Sequence, residues 1–384
     1  MLIEKSVAPP LSTLRPTKPT SSATFPVYRD LEASLAEEDQ QPDQQPPATV
    51  AHTLAVAAGY AYSDANTVSM MLARMGLQDN HCLQVDMSVD AMFIRSTAHL
   101  IQSSDGSVVI LAYRGTPPTN LINWLTDADV YPDKIAFPFP RDAKAADPAK
   151  SSLPPDAEAV PAKSFAVHAG FYRNVRATRF EVIAALMRAL DRRSVLDDDR
   201  GSPMPPMEKP MTTLYLTGHS LGGAMAALMA VMLSVDEDYV ERFAPVFKGA
   251  YTYGAPMVGS PDFAKACATH RFLNRNVVRY VYKRDPVPHL PPRDSDDFQH
   301  FGREYRYEGS YPWKDTSDDP IRQIGNLIPL IEAPLAFVAR QFRLLRGLPF
   351  QFSLGDHGPQ HYISAITPPE VPNEFGDAYL IPAT

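Results

Sequence analysis

The sequence predicts an α/β protein in which a mostly parallel central sheet carries helices on both faces. Residues 212–217 are apolar and β-branched, as in a buried strand, and residues 224–233 are rich in Ala, Met and Leu, as in a helix. Residues 276–282 alternate as a further strand beyond that helix. Strands that alternate with helical segments along the chain are typical of parallel sheets. With 384 residues and 45% hydrophobic side chains, the chain is long and apolar enough to bury a large core.

The first of these strands meets its helix in a serine flanked by glycines, Gly218-His219-Ser220-Leu221-Gly222. A Gly-x-Ser-x-Gly run at a strand-to-helix junction is the pattern of a nucleophile elbow. Cβ atoms at Gly218 and Gly222 would clash with neighbouring backbone in so tight a turn. Ser220 is then held at the helix N-terminus, where free N–H groups favour developing negative charge. The alternative is a plain glycine-rich turn, but strand, turn and helix together favour a catalytic serine.

A catalytic acid is predicted at Asp285, which follows the strand 276–282 in the run Asp285-Pro286-Val287-Pro288. In folds with this elbow the acid and the histidine follow the serine in that order. Functional groups also gather at the carboxyl ends of the strands in open α/β sheets. The alternative is an ordinary turn aspartate before a proline.

The catalytic histidine is predicted at His357, in a Gly-Asp-His-Gly loop before a short helical segment. His361 is the rival, because it lies only four residues further on. His289 is too close to Asp285 in the chain to reach round to Ser220, and His300 lies in a strand region that favours a structural role.

An oxyanion hole needs two N–H donors aimed at the oxygen of the tetrahedral intermediate. Leu221, directly after the serine, is the first candidate, and the second is expected after an earlier strand. The run 108–113 pairs as a hairpin with residues 92–102. It is followed by a short segment that contains Thr116, which offers its backbone N–H and its hydroxyl. The alternative is that this segment is only a strand-end turn.

Taken together, these segments resemble the class 3 lipase family. The resemblance spans about residues 50 to 366 and is carried by Tyr113–Thr116 with Asn123, Trp124 and Asp127; Val167–Phe171; Gly218–Ala224; Tyr253–Gly259; Asp285–Pro288 with Leu290–Pro292; His300–Tyr305; and Asp356-His357 with Tyr362. It implies an α/β-hydrolase with Ser220, Asp285 and His357 as catalytic triad. It also implies an oxyanion hole from Thr116 and Leu221, Trp124 in a lid segment, and no metal or organic cofactor.

The implied function is hydrolysis of carboxylic esters of lipids, by a triacylglycerol lipase or carboxylesterase. A phospholipase A1 or feruloyl-type esterase is the alternative enzyme. A lipase-like protein that binds partners without catalysis is the alternative of another class, although the filled triad favours an enzyme. A net charge of −8 argues against nucleic acid as a partner.

Domain organisation is predicted as a disordered Pro- and Gln-rich arm over residues 1–48 and one catalytic domain over 49–384. Insertions are expected near 141–164, 194–210 and 310–350. Cys82 and Cys267 are the only cysteines and could form one bridge. No signal peptide or membrane-spanning run is visible, which predicts a cytoplasmic protein and leaves leaderless secretion open.

A lipid-contacting surface is one hypothesis for residues 321–347, where apolar side chains recur at spacings of three and four. Four arginines there outweigh Glu332, so the segment is basic within an acidic protein. Leu335 and Phe342, with Trp124 of the lid-like segment, are the candidate contacts with a membrane or lipid-droplet surface. The other interpretation, which the pattern slightly favours, is a pair of helices packed into the core.

Overall fold

The computed structural model describes residues 25–37, 45–89, 94–115, 132–137, 139, 163–198, 204–290, 298–317, 354–369 and 371. Its α-helices are α1 (Leu31–Ala36), α2 (Ala48–Tyr60), α3 (Ala65–Met75), α4 (Ala169–Leu190), α5 (Leu221–Val235), α6 (Glu237–Phe243), α7 (Pro261–Thr269), α8 (Arg271–Asn276) and α9 (Pro359–Ile366). Its strands are β1 (His81–Val89), β2 (Ile94–Gln102), β3 (Val108–Tyr113), β4 (Pro132–Phe137), β5 (Lys163–His168), β6 (Thr213–His219), β7 (Phe247–Tyr253), β8 (Val277–Tyr282), β9 (Arg303–Tyr307) and β10 (Lys314–Asp315). Short 3₁₀ helices cover Val287–His289 and Leu354–His357.

One eight-stranded sheet in the order β1-β2-β3-β6-β7-β8-β9-β10 forms the centre of the molecule. Strands β3, β6, β7, β8 and β9 run parallel, whereas β1, β2 and β10 pair antiparallel at the two edges. Strands β4 and β5 form a separate antiparallel pair. The predicted hairpin of β2 and β3 and the mostly parallel sheet are confirmed.

Helices cover both faces of the sheet, as the unbroken apolar run of β3 illustrates. Val109 and Leu111 point into one hydrophobic cluster, and Val108 and Ile110 point into a second cluster on the other face. Helices α4, α5 and α7 contribute to the first cluster, and α1, α2, α3 and α9 to the second. A strand buried on both faces reads as a continuous hydrophobic run because neither set of side chains meets water. The predicted α/β-hydrolase fold is confirmed.

Helix α2 lies against the strands that carry the serine motif and its neighbour. The hydroxyl of Thr217 on β6 donates to the carbonyl oxygen of Leu54 over 3.1 Å. The hydroxyl of Tyr253 at the end of β7 donates to the carbonyl oxygen of Ala51 over 2.6 Å. Because each buried hydroxyl has a partner on the helix, the packing satisfies polar groups as well as burying apolar ones.

Part of the segment expected to be a disordered arm is ordered, so the boundary predicted at residue 48 is wrong for this part. Within residues 25–37, Leu31 and Leu35 of α1 are buried, and the hydroxyl of Tyr215 donates to the carbonyl oxygen of Leu35. Leu31 and Leu35 are one helical turn apart and therefore share a face. Because the segment as a whole is rich in proline and glutamine, its composition did not indicate this short apolar face.

The two cysteines are free: Cys82 lies on β1 and Cys267 is buried on α7. The bridge considered from the sequence is therefore absent. Among the described residues, no helix combines the length and the apolar character needed to cross a bilayer.

Candidate active site

Ser220 occupies the turn between β6 and α5, with backbone angles φ 59° and ψ −131°. A positive φ is uncommon for a side chain with a Cβ and is sustained only where the surrounding structure enforces it. Here the N–H of Ser220 donates to the carbonyl oxygen of Tyr253 over 2.9 Å, which joins the turn to the end of β7. Ser220 is thereby presented at the N-terminus of a 15-residue helix.

The glycines around Ser220 are required by close backbone contacts. A Cβ at Gly218 would lie 2.3 Å from the carbonyl carbon of Gly222, and one at Gly222 would lie 2.2 Å from the carbonyl oxygen of Tyr113. No side chain tolerates such distances from backbone atoms. The steric reading of the motif is confirmed, and the contact with Tyr113 brings the end of β3 beside the elbow.

Asp285 and His357, which are 72 residues apart in the chain, meet in a buried hydrogen bond. Nδ1 of His357 lies 2.9 Å from Oδ2 and 3.1 Å from Oδ1 of Asp285. Asp285 is fully buried and His357 is 5% exposed, so water scarcely screens their interaction. His361, the rival candidate, instead stacks on the ring of Tyr282 at 5.4 Å.

Two further groups hold the Asp285 carboxylate. The N–H of Val287 donates to Oδ1 over 2.9 Å, and the hydroxyl of Tyr362 donates to Oδ2. Burial, and then the nearby Asp285, raises the pKa of Tyr362 well above its ordinary value, so its hydroxyl remains a donor. Asp285 is thus held in place by donors that leave one edge of the carboxylate directed at His357.

Two buried atoms at this site, Oγ of Ser220 and Nε2 of His357, form no hydrogen bond in the described part of the chain. A buried polar atom without a partner is costly and is characteristic of reactive sites. In free enzymes the bond between nucleophile and base is often long and tightens only when substrate is bound.

His219, next to the serine, links the elbow to the loop of His357. Its Nε2 donates to the carbonyl oxygen of His357 over 2.7 Å, and the hydroxyl of Tyr62 donates to its Nδ1 over 2.9 Å. Burial, and then the neighbouring His357, lowers the pKa of His219 well below its ordinary value. The neutral ring therefore donates from one nitrogen and accepts at the other, as this chain of bonds requires.

The other predicted site residues fall as follows. Leu221 is the first residue of α5, where backbone N–H groups have no partner within the helix. Thr116 lies outside the described residues, but Gly115 before it is so close to the elbow that a Cβ there would lie 2.6 Å from the carbonyl oxygen of His219. Trp124, Leu335 and Phe342 also lie outside the described residues.

Sequence reasoning gave no role to Tyr62, His219 or Tyr362. His219 and Tyr362 stand within segments already singled out by the resemblance, so their positions were visible without their contacts. Tyr62 lies 157 residues from its partner, and no local pattern marked it. Within the described ranges, no group of three His, Cys, Asp or Glu side chains is arranged to hold a metal ion.

Comparison with known proteins shows which family and which relatives this chain is similar to. Residues 110–295 match the family described as lipase (class 3). A lipase from Rhizomucor miehei is 28% identical over 232 residues, which are 58% of this chain and 50% of the relative. Triacylglycerol lipase OBL1 from Arabidopsis thaliana is 34% identical over 153 residues, which are 38% of this chain and 27% of the relative. The chain thus spans about half or less of the length of these curated relatives.

Among solved structures, a native Rhizomucor miehei lipase propeptide complex aligns with 87% of this chain and 93% of its own, at 20% identity and a TM-score of 0.47. The region that matches the family contains the elbow, β7, β8 and the loop of Asp285. Residues 110–295, just under half of this chain, thus match the class 3 lipase family.

Proposed function

We propose that this protein is a serine hydrolase that cleaves carboxylic esters of lipids through an acyl-enzyme on Ser220. The observation that carries the proposal is the buried Asp285–His357 pair beside a strained serine at a helix N-terminus. A buried, hydrogen-bonded acid and base near a nucleophile are characteristic of catalytic sites. The match of residues 110–295 to the class 3 lipase family supports the same chemistry.

In the proposed mechanism, Nε2 of His357 takes the proton of Ser220 while Oγ attacks the ester carbonyl carbon. The N–H groups of Leu221 and Thr116, with the Thr116 hydroxyl, stabilise the oxyanion. His357 then passes the proton to the departing alcohol, which leaves an acyl group on Ser220. Water, deprotonated by His357, attacks the acyl-enzyme and releases the acid, and the proton returns to Ser220. Asp285 stabilises the imidazolium formed in each half.

The proposed substrates are acylglycerols, because relatives of this chain are named lipase and triacylglycerol lipase. The test is the rate of hydrolysis of p-nitrophenyl esters of graded chain length, of triolein and of phosphatidylcholine. Faster hydrolysis of long-chain esters and triolein would support a lipase. Preference for phosphatidylcholine would favour a phospholipase A1, and preference for feruloyl esters a feruloyl esterase. No hydrolysis of any ester would favour a non-catalytic binding protein.

Gly254 provides a test of the proposed geometry. At φ +60°, a Cβ there would lie 2.7 Å from Oδ2 of Asp285 and 3.1 Å from Nδ1 of His357. We expect Gly254→Ala to push these groups apart and lower kcat about 100-fold on a soluble ester, because small misplacements of catalytic groups cost that much. Gly309→Ala is the control, since Gly309 also has a positive φ but open space around it. Equal losses in the two variants would contradict the proposal.

The proposed lipid contact rests on the pattern of residues 321–347, which lie outside the described residues. We expect Leu335→Glu and Phe342→Glu to weaken binding to anionic vesicles and to reduce activity on emulsions but not on soluble esters, because a buried charge opposes insertion into lipid. Folded variants with unchanged vesicle binding would disprove this contact, and unfolded variants would favour a core position for the two side chains.

A further inference from the structure

The segment His300-x-Gly302-x-Glu304 lies beside the loop of Asp285 but takes no part in the mechanism above. Glu304 on β9 is the direct neighbour of Arg279 on β8 in the parallel register, and Arg306 follows two residues later on the same face. Their exposed fractions are only 2% for Glu304, 6% for Arg279 and 8% for Arg306. Three buried charges in one patch of a sheet are costly to desolvate and call for a reason.

Glu304 is the centre of this cluster, and both of its carboxylate oxygens are occupied. Oε2 lies 3.1 Å from Nη1 of Arg279, and Oε1 lies 3.3 Å from Nη2 of Arg306. The hydroxyl of Thr316 donates to Oε1 over 2.8 Å. Burial alone would raise the pKa of Glu304, but Arg279 and Arg306 outweigh it and lower the pKa to about 2. The carboxylate is therefore ionised at neutral pH and holds both guanidinium groups in place.

Two contacts lead from this neighbourhood to the loop of Asp285, one on each side of the acid. Nη1 of Arg306 donates to the carbonyl oxygen of Lys283 over 3.4 Å. Nε2 of His300 donates to the carbonyl oxygen of Pro288 over 2.6 Å. Burial, and then Arg279, lowers the pKa of His300 well below its ordinary value, so the ring is neutral and its other nitrogen is unprotonated.

The backbone at Lys283 needs such support, because its φ is +40°. A side chain in the left-handed region stores strain that the surroundings must offset. The N–H of Lys283 donates to the carbonyl oxygen of Tyr307, so both backbone groups of this residue are held by β9. The direction in which Asp285 leaves β8 is set two residues earlier, at this turn.

We propose that the buried cluster of Arg279, Glu304 and Arg306, together with His300, positions the loop 283–288 and so aims the Asp285 carboxylate at His357. These are positioning residues, since none of them touches the reacting atoms. The inference rests on the proposed function for its kinetic readout only. A purely structural role, joining β8 to β9, would stabilise the fold without affecting the acid or the imidazole.

Each test variant removes one of the two contacts with the loop 283–288, and the variant of Arg306 keeps its positive charge. Glu304→Gln is unsuitable on its own, because it would leave two buried arginines unpaired and endanger folding. Arg306→Lys keeps the positive charge, but one ammonium nitrogen replaces the two guanidinium nitrogens that separately reach Glu304 and the Lys283 carbonyl. Arg303→Lys is the matched control, since Arg303 lies on the same strand with its side chain directed to Asp315 and Tyr305.

We expect Arg306→Lys to lower kcat on a soluble ester about tenfold to 100-fold with little change in KM. A less well aimed carboxylate stabilises the imidazolium less, so the acid limb of the pH profile of kcat/KM should move to lower pH. His300→Leu should act in the same direction, and His300→Gln, whose amide can still donate to Pro288, should keep most of the activity. Arg303→Lys should resemble the wild type.

A second readout needs no substrate: the protonation of His357 followed by NMR in a Ser220→Ala background. Adding Arg306→Lys should lower the midpoint of that titration, and adding Arg303→Lys should leave it in place. If the wild type hydrolyses no ester, the proposed function fails while this titration still decides the positioning role. Folded Arg306→Lys and His300→Leu variants with an unchanged titration and pH profile would overturn the inference, as would an equal effect of Arg303→Lys.

Discussion

Replacing Ser220 or His357 by alanine is expected to lower kcat by about 10⁴–10⁶-fold, the largest loss for any change in this chain. Each change removes a group whose proton transfer or covalent bond cannot be supplied by water at a comparable rate. Because Oγ of Ser220 has no hydrogen-bond partner in the described part of the chain, its removal leaves no other group unsatisfied and the fold should persist. After His357→Ala, Asp285 retains donors from Val287 and Tyr362.

The matched control for the histidine is His361→Ala. His361 lies on α9, which begins two residues after His357, and its ring stacks on that of Tyr282. We expect a much smaller loss, measured as kcat on a soluble ester with circular dichroism as a check on folding. Loss of activity in His361→Ala with retention in His357→Ala would show that the histidine is wrongly assigned.

Asp285→Asn is expected to lower kcat by about 10⁴-fold with little change in shape. An amide accepts the hydrogen bond of Tyr362, but it carries no charge to stabilise an imidazolium and can hold the ring of His357 in the wrong tautomer. The loss should appear in kcat rather than KM, because the imidazolium forms only as the reaction proceeds.

Asp356→Asn makes the same chemical change at the residue next to His357. The carboxylate of Asp356 accepts a hydrogen bond from the N–H of Arg284 at an exposed position, 3.3 Å away. Water can replace that interaction, so the effect on kcat should stay below about tenfold. Comparable losses in the two variants would mean that Asp285 contributes no more than a surface carboxylate.

Much of the framework was predictable because it rests on local chemistry. The strand, turn and helix around Ser220 follow from residues within about 20 positions of one another, and the glycines are required by contacts inside that turn or with the adjacent strand. The six residues of β3 form an unbroken apolar run, and the structure buries all of them.

Other features were not predictable because their cause lies far away in the chain. Leu31 and Leu35 are ordered by a surface that includes Tyr215, about 180 residues later, so the composition of their own segment was misleading. The same holds for Tyr62, whose hydroxyl can bond to His219 only because the fold places β6 beside it.

The sequence by itself determined the fold class and the position of the elbow, since both depend on short-range geometry and periodicity. Only the tertiary structure decided which histidine meets Asp285, and that Tyr362 and His219 brace the pair. A hydrogen bond forms over about 3 Å whatever the separation in sequence, and residues 72 to 138 positions apart reach that distance only when the whole sheet is assembled.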